Sequence, residues 1–164
     1  MGAARRGTTP VTRLDLLVLA KAMTADLEAA RHHRDLALRF ITTPDAPGAA
    51  TVVAASLHHY YGAIESMAER AMRTFAHAIP TGARWHAELL ELASMDLEGT
   101  RPALFSDESR RMLLDLLSFR HFFRHAYAVD WDLGRLRKNC DLLTTGHDRL
   151  EEDMARFTAA LARA

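Results

Sequence analysis

The chain has 164 residues, 49% hydrophobic and 26% charged, a balance that suits one folded domain with its own core and excludes a disordered or fibrous class. Lys+Arg and Asp+Glu are equal at 21 each, so no global field favours nucleic acid or a membrane surface, and any such affinity has to come from a local patch. The only cysteine, Cys140, excludes an intramolecular disulfide and fits a reducing compartment.

Residues 1–11 are small, basic and unpatterned, which predicts a frayed tail ahead of a single domain over 12–164. From Thr12 the pattern turns helical. Leu16, Leu19, Ala20, Met23, Leu27 and Ala30 recur at three- and four-residue steps, and the helix runs to "TTPDAPG" (42–48), whose prolines and glycine end it. Within it, "LDLLVLAKAM" (14–23) has the look of a signal h-region, but Asp15 and Lys21 interrupt it. No stretch reaches the roughly 20 apolar residues a membrane span requires. The expected location is the cytoplasm, with no membrane partner.

A second helix is predicted from about Ala49 up to "IPTG" (79–82), and a shorter third over 83–95, followed by a loop at 96–105. Ser106 offers an N-cap to a fourth helix, with Asp107 and Glu108 placed favourably against its dipole; this helix is expected to reach Tyr127. "AVDWD" (128–132) makes a break, with Asp130 as the candidate cap of a last helix. Gly146 inside that helix is a weak point, costing about 1 kcal/mol against Ala, and a place for a kink. Cys140 on the same helix fits a small packed side chain better than a nucleophile. With no alternating β-branched run, about five helices in up-and-down order predict an all-α bundle.

The stretch "FRHFFRHAY" (119–127) stands out. On a helical wheel Phe119, Phe122, Phe123, Ala126 and Val129 share one arc, and Arg120, His121, Arg124, His125 and Tyr127 the opposite one. The rings anchor the helix, each contributing roughly 1.5–3 kcal/mol on leaving water. Arg120, Arg124 and Tyr127 stand at i, i+4 and i+7, so their side chains can meet. Arg120 and His125 diverge by about 140° on an ideal helix. They share one phosphate only if the helix is distorted or a second chain completes the site.

These residue types suit phosphodiester chemistry. An arginine fork grips phosphate and the charge that grows in the transition state. A histidine exchanges the proton of a ribose 2′-hydroxyl. Tyrosine holds a phosphate oxygen or stacks on a base. RNA needs no metal here, because its own 2′-hydroxyl is the nucleophile. From Arg120 to Lys138 there are five Lys/Arg against two Asp, which makes a basic edge. The competing account is a solvated amphipathic face. His121 and His125 have the spacing of zinc-binding helices, but no third ligand stands nearby, so no metal is expected.

Arg120-x4-His125-x-Tyr127 resembles the R-x4-H-x-Y signature of HepT-like ribonuclease toxins of the HEPN superfamily, in which a polar residue, here His121, follows the arginine. "LHHYYGAIESMAERAM" (57–72), with Tyr61, Gly62 and Glu65, is similar to the family's second helix. "WHAELLELA" (85–93), "RPALFSDES" (101–109) and "RLRKNCDLL" (135–143) follow in the family's order, and Trp131 is bulkier than the family pattern suggests. The resemblance implies a HEPN-like bundle that dimerises around a shared cleft. It implies a cofactor-free, metal-independent endoribonuclease that cuts tRNA or mRNA and leaves 2′,3′-cyclic phosphate ends. It further implies the toxin of a type VII-like toxin–antitoxin pair, silenced when a MntA-like nucleotidyltransferase moves AMP from ATP to Tyr127.

On that reading Arg120 binds the scissile phosphate and His125 transfers the proton. His121 and Arg124 support them, and Glu65 orients Arg120 through an ion pair unless it is simply an exposed helix glutamate. His58 and His59 line a cleft or a packed bundle face. His32 and His33 are surface residues, and "RLEEDMAR" (149–156) is a solvated charged face. A HEPN-fold antitoxin or partner-binding subunit with little nuclease activity is the alternative of a different class.

Overall fold

The computed structural model describes residues 10–125 and 131–163, with the side chain of His125 left aside. They form five helices: α1 (Arg13–Ile41), α2 (Ala49–Thr74), α3 (Trp85–Ala93), α4 (Asp107–His125) and α5 (Leu133–Leu161). Among the described residues there is no strand, only an isolated bridge between Leu97 and Arg101 in the α3–α4 loop. The all-α bundle expected from the helical periodicity is the fold observed.

α2 is the central element and touches all four other helices. Its sequence requires this: Leu57, Tyr60, Tyr61, Ile64, Met67 and Met72 are all buried, and neighbours such as Tyr60 and Tyr61 point to different sides. A helix apolar on more than one side has to be covered on more than one side. α1 lies along it through Leu19, Met23, Leu27 and Ala30, the three–four pattern expected. Thr12 opens α1 with a capping box: its N–H donates to Asp15 Oδ2 at 2.9 Å, and the Asp15 N–H returns a bond to Thr12 Oγ1 at 3.2 Å. Leu14, Leu17 and Val18 stand outward on the first turns, each more than half exposed.

α2 ends at Thr74, four residues short of the sequence expectation. Ala76 takes the left-handed conformation (φ 56°), the His77 N–H reaches back to Met72 O and the Ala76 N–H to Arg73 O, each at 3.0 Å. This is a Schellman stop with alanine where glycine is usual, so the composition carried no terminator. The loop between α3 and α4 is pinned by Arg101, which is 3% exposed. Its Nη1 donates to Met95 O at 2.8 Å and its Nη2 to Leu92 O at 2.6 Å, a cation set against the carbonyl end of α3.

Ser106 caps α4 as expected, accepting the Ser109 N–H at 3.3 Å. Asp153 of α5 in turn accepts the Ser106 N–H and hydroxyl, both at 2.8 Å. The 149–156 run is therefore more than a solvated face: Asp153 is 2% exposed, and Glu151 ties α5 to Arg31 of α1 at 2.6 Å. α5 is capped by Asp132, whose carboxylate accepts the Arg135 N–H at 3.2 Å; the Asp130 cap lies outside the described residues. α5 runs unbroken through Gly146, where a kink was expected. A Cβ there would come within 2.0 Å of Met112 Sδ, so the glycine lets α4 and α5 approach. Cys140 is buried and its thiol is pushed up to about 12 by desolvation, which leaves it protonated and inert. No described helix is long and apolar enough to cross a membrane.

Candidate functional site

α4 buries Leu113, Leu116, Leu117 and Phe119. Arg120 follows these leucines by seven, four and three residues, so it continues the core stripe rather than the outward arc. Its side chain is only 13% exposed. The expectation that Arg120 shares a solvent-facing arc with His121 and Arg124 is corrected by this register. A wheel drawn from residue 119 onward omits the leucines that decide which way position 120 faces.

A buried guanidinium needs acceptors. Arg120 Nη2 lies 3.4 Å from Glu65 Oε2, and Nη1 donates to His86 Nε2 at 2.9 Å. His86 Nδ1 in turn hydrogen-bonds Glu65 Oε1. Glu65 is 6% exposed and His86 4%, so the exposed-glutamate alternative is excluded. The guanidinium also lies over the Tyr61 ring, 5.5 Å from its centroid. Three helices thus meet in one closed polar ring: Glu65 from α2, His86 from α3 and Arg120 from α4. His86 had no assigned role in the sequence reading. The available signal was a histidine on the apolar stripe of "WHAELLELA", at a position where a leucine would pack.

His121 is exposed and meets the His86 ring edge-on, 5.7 Å between centroids. Arg124 is exposed one turn beyond Arg120. α4 is α-helical through His125, so no backbone distortion brings positions 120 and 125 onto one side. The His125 side chain and all of Tyr127 lie outside the described residues.

Around this centre the rings expected as anchors form a cluster. Phe119 is buried, while Phe122 and Phe123 are half-buried. Trp131 stacks on Phe123 at 5.7 Å and meets Phe122 edge-on at 6.4 Å; its Nε1–H donates to Thr51 Oγ1 of α2 at 3.1 Å. The bulk at Trp131 therefore fills a seam between α4 and α2. His58 stacks on the other side of the cluster, 4.7 Å from Phe123. Its pKa is lowered by burial first, then by the charges of Arg120, His59 and Arg124. His59 stacks on His33 at 5.1 Å, and His33 meets His32 edge-on at 5.4 Å, so the α1 histidines do have partners.

The basic edge is smaller than the sequence suggests. Arg120 is committed to Glu65 and His86, and Arg135 sits 4.2 Å over the Phe122 ring. Arg124, Arg137 and Lys138 remain as its exposed cations. Among the described residues, no group of three or more His, Cys, Asp and Glu side chains is placed to hold a metal ion.

A second polar chain lies across the bundle and belongs to its framework. The Tyr60 hydroxyl and His147 Nδ1 are 3.1 Å apart, both fully buried. His147 Nε2 is 3.0 Å from Glu151 Oε1, close but too poorly directed for a hydrogen bond. Burial is the largest cause of the lowered His147 pKa.

No curated protein and no solved structure matches this chain. The family described as HepT-like protein does match, over residues 52–161, which takes in α3, α4, α5 and nearly all of α2. That span is more than half of the chain and contains Glu65, His86, Arg120, His125 and Tyr127, and the protein belongs to the HepT-like family.

Proposed function

We propose that this HepT-like protein is a metal-independent endoribonuclease, acting as the toxin of a toxin–antitoxin pair. The observation that carries the reading is a family member with an intact R-x4-H-x-Y string whose arginine is buried and held by two acceptors. A merely solvated face gives no reason to place a guanidinium on a core stripe. Arg120 meets the scissile phosphate, and His125 moves the proton as the ribose 2′-hydroxyl attacks phosphorus and the 5′-oxygen leaves. The product is a 2′,3′-cyclic phosphate. Arg124 and His121, both exposed beside the ring, draw in the flanking backbone.

Arg120 and His125 point about 140° apart on a regular helix, so the site is completed by a second copy of the chain. Each cleft then takes its arginine from one subunit and its histidine from the other. A MntA-like nucleotidyltransferase silences the toxin by adding AMP to the Tyr127 hydroxyl. The added phosphodiester brings negative charge to the place meant for the substrate phosphate.

RNA incubated with the purified protein in excess EDTA is the test. Cleavage with 2′,3′-cyclic ends, lost in Arg120→Ala and His125→Ala, supports the reading. Uncut RNA, or cleavage unchanged in both variants, refutes it. Binding of a nucleotidyltransferase without any RNA cleavage would indicate a partner-binding subunit. Intact mass after incubation with that partner and ATP tests the silencing step, with one adenylate mapped to Tyr127 as the expected result.

A further inference from the structure

His86 is the member of the polar ring that lies outside the R-x4-H-x-Y string. It sits on the first turn of α3, 4% exposed, its ring 3.7 Å from that of Trp85. The hydrogen-bond chemistry around it allows one arrangement. An arginine N–H can only donate, so Nε2, 2.9 Å from Arg120 Nη1, has to present its lone pair. The single proton of the neutral ring then sits on Nδ1 and is donated to Glu65. The other Glu65 oxygen, 3.4 Å from Arg120 Nη2, closes the circuit.

We propose that His86 is a positioning residue for Arg120: Glu65 fixes its tautomer, and the freed Nε2 holds one arm of the guanidinium so that the fork has a single direction. A lone carboxylate would leave the guanidinium free to pivot about one contact. A second acceptor, on a different helix and at a set angle, removes that freedom before substrate arrives. Each Nη carries a second N–H, so donor capacity remains after both anchors are made; Nε is buried without an acceptor among the described residues. The consequence for catalysis rests on the ribonuclease reading of Arg120, while the positioning itself is a property of the fold.

The arrangement has a built-in proton dependence. A second proton on His86 would occupy Nε2, convert an acceptor into a donor and set a cation against Arg120. The groups facing His86 are Glu65 from α2, Arg120 and His121 from α4, and Trp85 on its own helix. Burial, Arg120 and His121 oppose the second proton and Glu65 favours it, the balance lowering its pKa. The neutral ring is therefore the resting form at neutral pH.

Three substitutions separate the two ring nitrogens. Gln at position 86 places its carbonyl oxygen near the Nε2 position and keeps the Arg120 contact. Asn places its amide near Nδ1, keeps Glu65 and loses Arg120, and Leu keeps neither. We expect kcat to fall about 10–100-fold in His86→Asn and His86→Leu. KM should stay within about threefold, and His86→Gln should recover most of the loss. The wild-type kcat should fall more steeply in acid than that of His86→Gln, which keeps only the limb set by His125.

Arginine side-chain NMR gives a readout that needs no activity. Slowly rotating, resolved Arg120 Nη signals are expected in the wild type and His86→Gln, and averaged ones in Asn and Leu. Acidifying the wild type should average them as His86 gains its proton, a test that does not depend on any variant folding. Activities ordered by melting temperature instead of by the Nε2 acceptor would overturn the proposal. So would Arg120 signals alike in all four proteins, or signals unchanged down to acid unfolding. If the wild type cuts no RNA, the ribonuclease reading falls and the NMR measurements alone decide the role of His86.

Discussion

Replacing Glu65 by Leu should be among the most damaging substitutions in this protein. The Arg120 and Glu65 side chains are 13% and 7% exposed, with Nη2 and Oε2 3.4 Å apart. At an effective dielectric of about 20, two unit charges at that distance attract by about 5 kcal/mol, which offsets the cost of removing both from water. Glu65→Leu removes the attraction and leaves the guanidinium buried against a neutral imidazole. Breaking such a pair from one side costs about 3–5 kcal/mol, and Arg120→Met, which strands the carboxylate, should cost about as much. The double variant strands no charge and leaves only His86 without partners, at about 1–3 kcal/mol. Urea unfolding of the four proteins should therefore give a coupling of at least about 2 kcal/mol between positions 65 and 120. A Glu65→Leu cost below about 1 kcal/mol with additive singles would mean that Arg120 escapes to water. The closed ring would then not describe the protein in solution.

Acid should destabilise the fold well above the carboxylate range. His33, His58, His77, His86 and His147 all have native pKa values below the ordinary 6.5, with burial the largest cause in each. Below that value the unfolded chain binds more protons than the native one, so stability is complete above it and declines as pH falls through the native values. A urea midpoint that is flat at mildly alkaline pH and falls as the pH drops below about 6.5 is expected, and one that rises there would contradict the assignment. Gly146→Ala gains about 1 kcal/mol of helix propensity but forces Met112 aside at about 1–3 kcal/mol, a net loss measurable by the same melts. A more stable variant would show that Met112 moves freely. Ala76→Gly should raise stability by about 0.5–1 kcal/mol, because a left-handed alanine is relieved at the α2 stop. That corresponds to about 1–4 °C in Tm, and a lowered Tm would deny the strained stop.

What was legible in the sequence followed from local pattern. The stripe Leu19–Met23–Leu27–Ala30, the helical start at Thr12 and the cap at Ser106 rest on signals a few residues apart, and each appears where expected. The illegible features involve partners far apart in the chain. His86 and Arg120 are 34 residues apart, and only the packing of α3 on α4 makes the imidazole an acceptor. Asp153 reads as one acid among several in a charged run, yet its hydroxyl and amide partner is 47 residues away. Gly146 looked like a defect because propensity scores one helix at a time, whereas Met112 on a neighbouring helix explains it. Residues 119–129 by themselves set Arg120 opposite the rings, whereas the stripe from Leu113 through Leu116 and Leu117 turns it inward.

If Arg120 of one copy and His125 of another together cut RNA, two inactive variants should restore each other when mixed. Arg120→Ala and His125→Ala should each be inactive alone in EDTA. After equal amounts are unfolded and refolded together, half the dimers are mixed, and each mixed dimer carries one site with both groups intact. The mixture should recover about a quarter of the wild-type cleavage. If the mixed dimers form, shown by native mass, and the RNA stays whole while the wild type cuts it, the site is not shared in this way.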